Sequence, residues 1–487
     1  MIAIALLLVP VLAAAISILA RGAAWGPRAS LVGHVATAAL AATLAASVLA
    51  GGPLSAADGW LRADALAALL ALLISVMALL TSWYGHDYLT LVRSLEPPDA
   101  RWEAGRYEAI VHVLVATMLL AALTDDLALL WIALEGSLLA ATVLVGYYRR
   151  PGAIEAAWKF LLLGSIGVSL ALLATVLLHH AGARALGAGS ESLRWSMLMA
   201  NAASLDAHFV RMAFLFALVG YGAMAGLAPM HSGMPDAHAQ APAPSAALIA
   251  TALSAVILVA LFRFHAIAAA SVGPAWSSGL LTLFGALSIA VAVPFLLVQG
   301  EFKRLLAWSS LAHIGFVTLA IGFGSPLAGL AGLLHLVVGS FARGLAFLVG
   351  GSLLHATGSR RMDHAAGILV ASPSLGLLLL VAAIGLVGLP PAGTFVSQWL
   401  ALTGGLITDR GTAAILSIVA LALAFLGISF HVLRMLLGVS LAGFRDRLPR
   451  RSHLPMAVLA AFVLILGVWL PSPVRALLDQ AARVIRP

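Results

Sequence analysis

Apolar runs of about 18 to 25 residues recur along the chain, separated by short polar stretches. That is the length a helix needs to cross about 30 Å of hydrocarbon. The two-residue alternation of membrane barrel strands is absent, so the runs read as helices. The pattern predicts 14 spans near residues 2–20, 31–49, 64–83, 107–124, 127–147, 157–179, 211–230, 243–265, 276–298, 305–323, 327–355, 372–400, 412–437 and 454–471. The first, "MIAIALLLVPVLAAAISILA", lacks a basic leading segment and reads as a span rather than a cleaved signal. The seventh ends "AGLAPMHSG" and the twelfth contains "VGLPPAGTF", with Pro390 and Pro391 interrupting it. Paired Gly/Pro-interrupted spans point to inverted repeats around a transport path. Their five-span separation fits repeats over spans 4–8 and 9–13, about 107–265 and 276–437, within one membrane domain, 1–487.

Composition agrees. Hydrophobic residues make up 62% and charged residues 9% of the 487, against about 25% charged in soluble domains; mean hydropathy is +1.07. The absence of cysteine excludes disulfides, thiolate metal sites and iron–sulfur ligation in this chain. The net charge of +8 fits basic cytoplasmic loops rather than nucleic-acid binding. Arg21, Arg28, Arg93, Arg101, Arg106, Arg149, Arg150, Lys303, Arg304, Arg360, Arg361, Arg445, Arg447, Arg450 and Arg451 fall on one side of the predicted topology. The other side holds fewer cations, so the first is read as cytoplasmic and both termini as periplasmic, in a bacterial inner membrane. The longest connection, about 180–210, is too short for a domain, and no phosphate-binding or dinucleotide loop is present.

Few ionisable groups lie inside the apolar runs. Such groups are costly there and mark function by default. Glu135, Lys159, His313, His335 and Arg343 are candidates for a proton relay, because buried Lys and Glu shift toward neutrality and His titrates near 7 unaided. The plain alternatives are an ion pair between Glu135 and Lys159, core histidines at 313 and 335, and a structural Arg343, which does not readily deprotonate. The loop "PMHSGMPDAHAQAPAP" adds His231 and His238, with Asp236 in support, near the cytoplasmic mouth. Its prolines suit the first turn of the next helix. A capped turn with incidental histidines is the alternative there.

The segments "ALTDDLALLWIALEGSLLAATVLVGYY", "EAAWKFLLLGS", "AGLAPMHSGMPDAHAQAPAPSAAL", "KRLLAWSSLAHIGF", "GLLHLVVGSFARGLAFLVGG" and "GLVGLPPAGTFVSQWL" occur in that order. Together they resemble the antiporter-like subunits of respiratory complex I, Mrp antiporters and membrane-bound hydrogenases, most closely the hydrogenase-4 and formate hydrogenlyase branch. The resemblance covers about residues 60–400. It implies an all-α polytopic membrane fold of about 14 helices, two inverted five-helix repeats and broken helices 7 and 12. It also implies proton translocation along a central polar axis, driven by a peripheral cytoplasmic redox module. Iron–sulfur clusters then belong to partner subunits, and no cofactor to this chain. Glu135 matches the family's fifth-helix glutamate and His335 the first histidine of its eleventh helix.

The chain departs from that family pattern at titratable positions. Met224 stands where the seventh-helix lysine is expected, Gly339 at the second eleventh-helix histidine, Arg343 at a lysine and Gln398 at an acid. The expected function is therefore a membrane subunit of an energy-converting redox complex whose proton pathway is shortened or degenerate. A proton-coupled membrane partner of an inorganic-carbon uptake complex, or a non-pumping scaffold, is the alternative.

Overall fold

A computed structural model describes residues 1–20, 25–95, 104–187, 189–439 and 446–486. Of the loop cations named above, Arg21, Arg101 and Arg445 lie outside these. The chain is almost wholly helical. Its helices are α1 (Ile2–Leu19), α2 (Gly26–Gly51), α3 (Ala65–Leu95), α4 (Ala104–Leu123), α5 (Leu127–Val145), α6 (Pro151–Leu186), α7 (Trp195–Ala200), α8 (Ala207–Ala225), α9 (Met234–Gln240), α10 (Ala243–Leu248) and α11 (Ser254–Val272). They continue with α12 (Pro274–Val298), α13 (Phe302–Gly322), α14 (Pro326–Thr357), α15 (Ile368–Ala371), α16 (Pro373–Val387), α17 (Gly393–Leu406), α18 (Gly411–Leu437), α19 (His453–Val468) and α20 (Ser472–Val484).

Thirteen helical stretches among the described residues are long and apolar enough to span a membrane. The fourteenth expected span is the broken pair α16 and α17, each half too short alone. The core is a spine of central helices. The most apolar windows of α14 and of continuous α10–α11 are 100% buried and that of α13 is 94% buried. Peripheral α18, by contrast, is 28% buried and turns Leu416, Val419, Leu423 and Leu426 outward, as lipid-facing helices do. Glycines permit the closest approaches: a Cβ on Gly220 would stand 2.6 Å from the Gly167 carbonyl oxygen where α8 crosses α6.

Three irregularities shape the interior. The seventh span stops at Gly226 (φ +82°) and resumes as α9. The twelfth stops at Gly388 (φ +73°) and resumes as α17. The eighth holds a π-helical turn, Ile249–Leu253, between α10 and α11.

Some boundaries differ from the sequence reading. Helix α3 runs to Leu95, well past the predicted residue 83, and α6 spans 36 residues, because polar residues extend both beyond the apolar stretch. The connection at 180–210 is built rather than bare. Helix α7 begins there, with the Trp195 amide donating to the Asp125 carbonyl at 2.7 Å and the Ser196 hydroxyl to the Asp125 carboxylate at 2.5 Å. A short antiparallel hairpin, β1 (Leu54–Ala56) with β2 (Leu61–Ala63), was not read from the sequence. The last span ends at Val468, and amphipathic α20 follows it.

Candidate proton-relay site

The buried polar groups form a row along α14, from one face of the bundle to its middle. At the outer end, Asp236 on α9 accepts from Arg304 at 2.7 Å and lies 3.5 Å from the Lys159 ammonium. Lys159 is half-exposed and also pairs with Glu155 at 2.6 Å. It is therefore a surface group tying α6 to α9 rather than a buried relay group, and its partners are Glu155 and Asp236 rather than Glu135, so the alternative ion pair does not form either. In the loop after α14, Arg361 donates to Asp363 through Nε and one terminal nitrogen and holds that carboxyl down at about 2.

One step inward is Lys303, which the sequence reading placed among the loop cations. It is buried, and its ammonium donates to the Ala241 carbonyl at 2.5 Å. That carbonyl is free because Pro242 follows and α10 begins only at Ala243. Next comes His238, 1% exposed, with neither ring nitrogen hydrogen-bonded. It stands within electrostatic range of both Lys303 and Arg343.

Arg343 is fully enclosed by neutral partners. It donates to the carbonyls of Ala250 at 2.6 Å and Gly339 at 3.1 Å and to the Ser340 hydroxyl. The Ala250 carbonyl belongs to the π-turn, whose wider hydrogen-bond spacing disturbs the regular ladder and turns a carbonyl toward a partner. The irregular turn and the buried guanidinium therefore account for each other.

Beyond Arg343, His313 Nδ1 meets His335 Nε2 at 2.9 Å, and His335 Nδ1 meets the Ser397 hydroxyl at 2.8 Å. Ser397 donates onward to the Thr394 carbonyl at 2.9 Å, and the Leu386 carbonyl lies beside His313. Both carbonyls flank the break in the twelfth span. This arrangement is complete in two opposite senses. Hydrogens can run His313 to His335 to Ser397 to Thr394, or Ser397 to His335 to His313 to Leu386, because each neutral imidazole has one donor and one acceptor nitrogen. A cavity of about 20 Å³ borders His313, His335, Ser309 and Gln398, enough for one water.

Gly339 faces the two imidazoles: a Cβ at 339 would sit in ordinary contact, 3.4 Å from His313 Nδ1 and 3.5 Å from His335 Nε2. The imidazole beside His335 is supplied by α13 rather than by position 339 of α14.

Two other nominated residues stay outside the row. Glu135 on α5 is half-buried, with its Oε2 buried and unpartnered. His231 lies in the break of the seventh span, its ring against Trp308. Met224 is buried and lies against Gly167, so the position on α8 where the resemblance expects a lysine holds no titratable group.

Residues 124–424 match the model of the NADH:quinone oxidoreductase/Mrp antiporter transmembrane family. The chain belongs to that family. The hydrogenase-4 component F homolog of Methylacidiphilum infernorum is 31% identical over 412 residues, 84% of this chain and 85% of that protein. Among solved structures, a chain of respiratory complex I from Thermus thermophilus with bound aureothin superposes with TM-score 0.76 at 26% identity, over 96% of this chain and 97% of that one. A chain of the archaeal membrane-bound sulfane sulfur reductase superposes at TM-score 0.88 and 21% identity, over 99% and 97% of the two chains, a likeness of fold. This antiporter-like subunit thus has the polytopic fold of its relatives, and all the polar groups of its row lie within the matched segment.

Proposed function

We propose that this antiporter-like subunit relays protons through its second half, as a membrane subunit of an energy-converting redox complex of the hydrogenase-4 and complex I type. The observation that carries the reading is the His313–His335–Ser397 chain, with a carbonyl acceptor at each end. A proton taken up at the Lys303 end passes His238 and Arg343 and reaches His313. It leaves from His335 toward Ser397 as the hydrogen bonds reverse. Arg343 does not itself carry the proton; as a fixed cation between His238 and His313 it opposes a charge resting on either. It thereby separates the outer from the inner part of the row.

The breaks at Gly226 and Gly388, each a left-handed glycine ending a half-span, support two inverted repeats over about 107–265 and 276–437. In the first repeat the equivalent path lacks a carrier at Met224, so the relay is confined to the second. Electron transfer belongs to a peripheral module with iron–sulfur clusters, docked on the arginine-rich face, which we place in the cytoplasm of a bacterial cell with both termini periplasmic.

A non-pumping scaffold is the second reading, favoured by the isolation of Glu135. The two are separated in the reconstituted complex by proton uptake per electron transferred. Ser397→Ala removes the terminal hydroxyl with little change in volume and is expected to lower that ratio severalfold with all subunits retained. An unchanged ratio supports the scaffold.

A further inference from the structure

A second polar cluster lies among α2, α3 and α4, outside the 124–424 segment that matches the family. Glu108, on the first turns of α4, is 7% exposed, and among the described residues its hydrogen-bond partner is a hydroxyl rather than a cation. Its Oε2 accepts from the Ser30 hydroxyl at 2.8 Å, and Ser30 also meets His112 Nε2 at 3.0 Å. His112 stacks on His34, with ring centroids 4.0 Å apart and planes 14° apart. His34 Nε2 in turn meets the Ser82 hydroxyl at 2.9 Å. Both imidazoles are fully buried, and the Nδ1 atoms of both are unpartnered.

The hydrogen bonds have one sense. An ionised carboxylate can only accept, so the Ser30 hydrogen points to Glu108 and His112 supplies Nε2–H to Ser30. The His112 Nδ1 is then a buried lone pair with no donor, which a native interior seldom tolerates without a use.

Ser30, Ser82 and Glu108 all line a cavity of about 250 Å³ on the arginine-rich side, large enough for several waters. Its other ionisable walls are Arg28, His86, Asp87 and Arg451. Arg451 is engaged by Asp87 through bonds at 2.6 and 3.0 Å, and Ser452 donates to Asp87 as well. Asp87 is thereby neutralised, and Glu108 is left as the cavity's carboxylate with no hydrogen-bonded cation among the described residues, Arg28 being a further cationic wall. Helix α1, packed against both α2 and α4, brings no titratable side chain of its own.

We propose that Glu108, Ser30, His112 and His34 form a second proton-accepting site, loaded from this cavity and separate from the row along α14. One proton passes from a hydronium among the cavity waters, which becomes water, to the Glu108 carboxylate, and the hydrogen-bonded Ser30 and His112 tune its hold there; no other bond changes. The stacked geometry limits the pair to one proton, since two imidazolium rings at 4.0 Å repel each other. Both ends of the chain, Glu108 and Ser82, face the same cavity, so the site stores a proton rather than passing it across the membrane.

The test is infrared difference spectroscopy of the purified complex between alkaline and acidic buffer. The site predicts a carboxylic-acid band that Glu108→Gln removes. His112→Gln and Ser30→Ala each shift the midpoint of that band by about one pH unit or more. His335→Gln, which disables the α14 row, leaves band and midpoint in place, so the outcome does not depend on whether that row pumps. The proposal is overturned if Glu108→Gln leaves the difference spectrum unchanged, or if the band it removes titrates with the same midpoint in the His112 and Ser30 variants.

Discussion

The junction of the buried row is His335, which bonds His313 on one side and Ser397 on the other. Removing its ring leaves His313 with a buried unpaired nitrogen, a penalty of about 1–3 kcal/mol. Met224 offers the contrast. It is buried but does not titrate, so Met224→Ala is expected to cost about 2–5 kcal/mol in packing while proton uptake per electron stays unchanged. Thermal unfolding of the purified complex beside the uptake ratio checks both halves of that statement. Glu135→Gln should also leave the ratio unchanged, because the buried Glu135 Oε2 has no hydrogen-bond partner among the described residues; a fall would bring the first repeat back into the pathway. His313, His335 and Arg343 were legible in the sequence as polar groups in apolar runs. Lys303 was not, since a lysine beside Arg304 just after a loop reads as a solvated end, and the turn at Ala241 that buries it comes from distant residues. Lys159 went the other way: its apolar neighbours suggested burial, yet its place near the start of α6 leaves it half-exposed.

At the scale of the elements, the broken seventh and twelfth spans were legible because glycine and proline inside an apolar run have few other uses. The π-turn in the eighth span was not. No residue in "IATAL" demands it, and it exists together with the Arg343 guanidinium that arrives from α14. Gly226 tests how far the breaks depend on backbone freedom. Its φ is +82°, and a Cβ there would sit 2.7 Å from Met234 Cγ. Gly226→Ala should therefore cost about 1–3 kcal/mol and displace α9, with His238 and Asp236 on it. The expected readout is a lower melting temperature and faster protease cleavage near residue 230. A variant as stable and resistant as the parent would contradict this account of the break.

For the whole molecule, side chains from segments distant in sequence meet on one face: Arg360 with Gln240, Arg304 with Asp236 and Arg451 with Asp87. The proposed orientation puts this face in the cytoplasm, so a reporter active only in the cytoplasm should stay silent when fused to the C-terminus; a strong signal would reverse the assignment. Outward apolar surfaces on α6 and α18 fit lipid or neighbouring membrane subunits, and the chain is expected to co-purify with at least one other integral subunit in mild detergent. The most direct measurement of the central claim is proton uptake per electron transferred by the complex reconstituted in vesicles, compared between the parent and His335→Ala. The relay predicts that electron transfer and subunit composition persist while the ratio falls severalfold; a His335→Ala complex that is fully assembled and retains the parental ratio would contradict it.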